Sequence, residues 1–123
     1  MRTEGWSKIS ARAPRVRKTT VLVVEDDPEL RTLYHGAIRA AGYAVVAVED
    51  GLDALRRIEQ HVPDIVVLDL ELPRLRGRDV YRELTGNAKT AKIPIVVVTG
   101  SSLSDDDQRE FSCVLQKPVH GRP

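Results

Sequence analysis

The chain has 123 residues, of which 41% are hydrophobic and 30% charged, the length of one domain able to bury roughly two thirds of its unfolded surface without a metal or disulfide to hold it. The single Cys113 excludes an internal bridge, and no stretch reads as a signal peptide. Apolar runs such as Val21 to Val24 and Ile95 to Val98 fall far short of the roughly 18 residues of a membrane span, so a cytoplasmic protein without a membrane span is expected.

The net charge of +1 conceals an asymmetry. Residues 1–18 carry six basic groups against Glu4, a net +5, whereas the remainder carries 13 basic and 17 acidic groups, a net −4. A basic extension can attract nucleic acid or an acidic surface, but these charges have no interleaved aromatics. Residues 1–18 are therefore expected to be a flexible, solvated extension with no direct nucleic-acid binding.

Thr19 to Val24 is an apolar, largely β-branched run that ends in Glu25-Asp26-Asp27, as a central parallel strand would. Pro28 suits the first position of a helix, with Asp27 able to cap it. Leu30, Leu33, Ala37, Ile38 and Ala41 recur at helical spacing, and Gly42 supplies the stop. Tyr43 to Val48 predicts a second strand. Asp50 can cap a helix with Leu52, Leu55 and Ile58 on one face, ended by Val62-Pro63.

Ile65 to Leu68 predicts a third buried strand, ending on Asp69. After the loop Leu70 to Gly77, Val80, Tyr81 and Leu84 mark the inward face of a helix closed by Gly86. Ile93 to Gly100 predicts a fourth strand, with Pro94 at its start, where a missing N–H is tolerated, and Thr99 near its carboxyl end. Ser104 can cap a short helix opened by Asp105, Asp106 and Asp107, and Cys113 to Gln116 predicts a brief fifth strand before Lys117-Pro118. Alternating strands and helices at this spacing imply right-handed parallel crossovers. The expected fold is a doubly wound α/β five-stranded sheet with the flavodoxin-like order 2-1-3-4-5.

In such a sheet the carboxyl ends of the strands carry the chemistry. Glu25, Asp26 and Asp69 would converge there and repel one another, which calls for an oxygen-seeking divalent cation, Mg2+ first among them. Mg2+, the Thr99 hydroxyl and the Lys117 ammonium would together neutralise and bind a phosphoryl group attached to Asp69. His35 and His61 fall within helices, away from that edge, and receive no role.

Val23-Val24-Glu25-Asp26-Asp27, Asp69 within Val66-Val67-Leu68-Asp69-Leu70-Glu71-Leu72-Pro73, Thr99 after Val96-Val97-Val98, and Lys117-Pro118 stand in one order over residues 19–119. In this the chain resembles the receiver domains of two-component response regulators, the CheY-like family. The resemblance implies a receiver domain at 19–119, followed by a tail at 120–123. Asp69 would be the phosphoacceptor, with Glu25 and Asp26 as the acidic pocket. Mg2+ would be held by Asp26, Asp69 and the backbone carbonyl of Glu71. Thr99 would follow the phosphoryl group, Lys117 would pair with it, and the Lys117–Pro118 bond would be cis.

A domain of this kind is not a conventional enzyme, although it promotes its own phosphorylation and dephosphorylation. Its partners would be a sensor histidine kinase or phosphotransfer protein, a downstream protein and, in one arrangement, a second copy of itself. Two other functions compete with this one. One is a receiver-like interaction module not switched by phosphate. The other is a phosphohydrolase resembling the haloacid dehalogenases, which place a second Asp two residues after the nucleophile, where this chain has Glu71.

Three features depart from the family pattern. Seventeen residues separate Thr99 from Lys117, so the fourth helix should be short. Val114 stands where the family often has Tyr or Phe. Only five residues follow Pro118, leaving a fifth helix largely absent. An apolar flank on the first and fifth strands would then need a cover: the segment with Trp6 and Ile9, a partner or second copy, or the rest of a longer chain.

Overall fold

The computed structural model describes residues 17–117. Five parallel strands, β1 (Thr20–Val24), β2 (Ala44–Val48), β3 (Ile65–Asp69), β4 (Ile95–Thr99) and β5 (Val114–Gln116), lie in the order β2-β1-β3-β4-β5. Helices α1 (Pro28–Ala40), α2 (Gly51–Gln60), α3 (Gly77–Thr85) and α4 (Asp105–Glu110) connect them. The expected doubly wound order is therefore found, with a fourth helix of only six residues.

Local chemistry accounts for the helix ends. Asp27 Oδ1 accepts from the Glu29 and Leu30 amides at 2.9 and 3.3 Å, with Pro28 at the first helical position. Gly42 leaves α1 at φ 104°, a conformation open to glycine without a Cβ penalty. Asp50 accepts from the Asp53 amide at 2.9 Å. Ser104 and Asp107 form a reciprocal capping box on α4.

One face of the sheet carries the main core. Leu22, Val24, Val66, Leu68 and Val97 pack with Ala54 and Ile58 of α2, Val80, Tyr81 and Leu84 of α3, and Phe111. Leu52, expected to face inward, is 37% exposed, and Ala54 takes the buried position in its place. Leu55 is half-buried against the core, as expected of its face.

The opposite face differs from expectation. Among the described residues, α1 packs on β1 and β2, and Leu30 is its only buried residue. Leu33 and Ala37 of the predicted inward stripe face solvent, Leu33 at 57% exposure. On the flank expected to need a cover, Val21 and Val23 of β1 are buried, whereas Leu115 of β5 is 56% exposed. Of the basic extension, Arg17 and Lys18 are described, and Arg17 pairs with Asp64 just before β3 at 3.0 Å. The Trp6 and Ile9 anchor, the tail at 120–123 and the isomer of the Lys117–Pro118 bond lie outside the described residues.

Strand register aligns the carboxyl edge. Val24 pairs with Leu68, which puts Glu25 and Asp69 on the next rung. Asp69 pairs with Val98, one residue before Thr99, and Thr99 pairs with Gln116, one residue before Lys117.

Candidate functional site

Glu25 extends the β1 ladder by one bond, its amide donating to the Val48 carbonyl at 3.0 Å. This fixes a buried carboxylate at the sheet edge. Asp27 turns away to cap α1 while its own amide donates to Glu25 Oε2 at 3.1 Å. Asp26, between them, is exposed at the mouth of the site. Arg31, one turn into α1, donates to the carbonyls of Glu25 and Asp26 at 3.0 and 3.2 Å and so pins the β1–α1 turn.

Asp69 ends β3 almost fully buried. Its Oδ1 accepts the Glu71 amide at 2.9 Å, and its Oδ2 lies 3.0 Å from Lys117 Nζ. The β3–α3 loop returns so closely that a Cβ built on Gly77 would lie 2.6 Å from Leu70 Cα and collide with the Asp69 carbonyl. In that loop Arg74 has φ 63°, and its guanidinium bonds the buried Asp50 carboxylate, tying the loop to the start of α2.

Lys117 reaches back from the end of β5 to Glu25, 3.1 Å away, as well as to Asp69. Thr99, buried at the end of β4, accepts the Ser101 amide at 3.1 Å. Its hydroxyl donates to Glu71 Oε1 at 3.4 Å, and the Gly100 amide donates to the same oxygen at 3.3 Å.

Burial disfavours charge on the two inner carboxylates. It pushes the Glu25 carboxyl up to about 7, against the lowering effects of the Asp27 amide and Lys117. It also raises Asp69, although the Glu71 amide and Lys117 oppose the rise. Burial would lower Lys117, but its bonds to Asp69 and Glu25 prevail and hold it above the ordinary lysine value.

The donor set suits a hard cation. Oxygens of Glu25, Asp26 and Asp69 all lie within 4.8 Å of one another, and the buried Glu25 Oε1, though near Lys117, accepts no aligned hydrogen bond. One ammonium among three carboxylates leaves negative charge uncompensated, and oxygen ligands of this kind fit Mg2+. Glu49, Asp50 and Asp53 form a second acidic group; there the Asp50 carboxylate is already engaged by Arg74 and the Asp53 amide.

The structure thus gathers Glu25, Asp26, Asp69, Glu71, Thr99 and Lys117 on one edge. Sequence reasoning missed Arg31, the close approach at Gly77 and the side chain of Glu71. No spacing rule marks the first or last of these; the glycine opening a helix at Gly77 was the available signal. Val114 lies half-buried in β5. Phe111 is a core residue, edge-on to Tyr81 with ring centroids 4.7 Å apart and 5.6 Å from the Arg78 guanidinium.

The family profile of the response regulator receiver domain matches residues 21–120. The polar-differentiation response regulator DivK of Brucella ovis is 31% identical over 104 residues, covering 81% of this chain and 85% of that one. Among solved structures, the receiver domain of sensor histidine kinase PA1611 from Pseudomonas aeruginosa PAO1, with a magnesium ion coordinated in its active-site cleft, is 31% identical. It aligns with a TM-score of 0.74 over 84% of this chain and 88% of that one. Chemotaxis response regulator CheY4 of Vibrio cholerae shares the fold, with a TM-score of 0.76 and 23% identity over 84% of this chain and 89% of that one. The chain belongs to the response regulator receiver domain family of two-component systems, and no helix among its described residues is long and apolar enough to cross a membrane.

Proposed function

We propose that the chain is a phosphoacceptor receiver that takes a phosphoryl group from a histidine kinase or phosphotransfer protein onto Asp69 and signals through protein–protein contacts in the cytoplasm. The observation that carries this reading is the convergence of Asp69, Glu25 and Asp26 with Lys117 at one sheet edge. An Asp69 carboxylate oxygen would attack phosphorus; the bond from phosphorus to the donor imidazole nitrogen breaks, and that nitrogen keeps the electron pair and takes up a proton. Lys117 would stabilise the phosphoryl charge, and the Thr99 hydroxyl and Gly100 amide would add donors from the same edge.

Asp26, Asp69 and the main-chain carbonyl of Glu71 would hold Mg2+, with Glu25 as the remaining acid of the pocket. The ion's chemistry there is to neutralise charge on carboxylates and phosphoryl oxygens. The magnesium in the PA1611 receiver supports this assignment.

Incubation with acetyl phosphate and Mg2+ should add one phosphoryl mass by mass spectrometry, and Asp69→Asn should abolish it. Equal labelling of that variant would sink the assignment. A receiver-like module not switched by phosphate is the second reading, favoured by Val114 at the place of the usual aromatic. In that case labelling, if present, would leave the amide spectrum of β4, α4 and β5 unchanged.

A further inference from the structure

Glu71 is an exposed residue of the loop after β3, where a glutamate side chain ordinarily extends into water. Here its carboxylate reaches across to the end of β4. One carboxylate oxygen accepts both the Thr99 hydroxyl, at 3.4 Å, and the Gly100 amide, at 3.3 Å. A Cβ built on Gly100 would meet that same oxygen at 3.8 Å and the Lys117 stem at 3.9 Å, so the carboxylate shares the Gly100 side of the site with Lys117. Its own amide meanwhile holds Asp69 Oδ1 at 2.9 Å. One residue therefore touches the acceptor carboxylate through its main chain and the two donors at the β4 edge through its side chain.

We propose that Glu71 is an internal anion occupying the phosphoryl cradle of the resting chain, so that an incoming phosphoryl group must displace its carboxylate from Thr99 and Gly100. The proposal rests on the phosphoacceptor reading above. A carboxylate and a phosphoryl group offer those donors the same kind of charged oxygen acceptor. At 3.3–3.4 Å both bonds are at the long end of the hydrogen-bond range. They hold the carboxylate weakly, as a displaceable plug requires. A phosphoryl group brings more charge and three oxygens and would win the donors once Lys117 also pairs with it. The plug lowers apparent affinity by the fraction of molecules in which the cradle is open.

Beryllofluoride, a phosphoryl mimic, provides the probe, titrated with Mg2+ into 15N-labelled chain carrying Glu71, Glu71→Gln or Glu71→Ala. Both substitutions leave the main-chain carbonyl and amide of residue 71 in place. Without beryllofluoride, the Gly100 amide resonance should move in Glu71→Ala as its bond is lost. Affinity should rise about tenfold in Glu71→Ala, the scale of one hydrogen bond to a charged group, and less in Glu71→Gln, which keeps an acceptor but loses the charge. Affinity equal to or weaker than that of the parent, or an unmoved Gly100 amide, overturns the plug while leaving Asp69 as the acceptor. If neither the parent nor the variants bind, the phosphoacceptor reading falls and takes the plug with it. Binding by Glu71→Ala alone would support the plug in its strongest form.

Discussion

Lys117 Nζ lies 3.0 Å from Asp69 Oδ2, a bond between the ends of β5 and β3 that spans 48 positions in sequence and also reaches Glu25. It is the only ammonium among these carboxylates in the described residues, and it is largely buried. Replacing Lys117 by Met would leave two buried carboxylates without their cation. Breaking one side of a buried pair in this way should cost about 3 kcal/mol. Urea unfolding at about pH 8 should show the loss, and the loss should shrink as pH falls through about 7, where the Glu25 carboxyl takes up its proton.

The pH dependence of the metal-free chain follows from Glu25 and Asp69. Burial holds Glu25 up at about 7, and Asp69 is shifted in the same direction. Between the ordinary carboxyl value of 4.5 and about 7 the folded chain keeps a proton at Glu25 that the unfolded chain has released. That stabilisation is fully present below the unfolded value and is lost as pH rises through the folded one. With chelator present, the chain should be more stable at about pH 5.5 than at about pH 8, and Glu25→Gln should flatten the slope. Asp107 and Asp50 are shifted the other way, Asp107 chiefly by Arg78 and Asp50 chiefly by the Asp53 amide. Their contributions are present above the ordinary Asp range and fade only in stronger acid.

Metal affinity should depend on Asp26 and not on Asp27. Asp26 belongs to the acidic cluster, whereas Asp27 is turned onto the Glu29 and Leu30 amides. Asp26→Asn removes a charged oxygen ligand; Asp27→Asn keeps a competent cap. In a Mg2+ titration followed by chemical shifts, Asp26→Asn should weaken binding at least tenfold more than Asp27→Asn, about 1.4 kcal/mol of difference.

Gly77→Ala should damage both fold and site. An added methyl would press on Leu70 Cα and the Asp69 carbonyl, which are backbone and cannot step aside. Overpacking of this kind costs about 1–3 kcal/mol. The displaced loop should also weaken Mg2+ binding, whereas Gly36→Ala, where nothing lies within 4 Å of an added Cβ, should stabilise α1 slightly.

Phe111 and Leu115 separate core from surface near β5. Phe111→Ala removes a buried ring packed edge-on to Tyr81 and should cost about 3–5 kcal/mol. Leu115→Ala, at a position 56% exposed, should stay within about 0.5 kcal/mol of the parent. Thermal unfolding of the two variants compares them directly.

Much of this protein was legible in the chain because its signals are local. Unbroken β-branched runs mark strands buried on both faces, and Asp27-Pro28, Asp50 and Ser104 mark helix starts through bonds that span only two or three residues. Four strand ends bearing Glu25, Asp69, Thr99 and Lys117 could be aligned on one edge because parallel crossovers return every strand in the same direction. Helical spacing, by contrast, shows that Leu33 and Ala37 share a stripe but not whether anything covers them. The same rule could not choose between Leu52 and Ala54 for the buried face of α2. Nor could it show that Glu71 would fold back onto β4, that Gly77 would touch Asp69, or that Arg31 would pin the turn beside Glu25. Those contacts depend on how closely separate elements approach in space, to within a few tenths of an ångström, and that distance is set by the packing of the whole domain and not by any local stretch of residues.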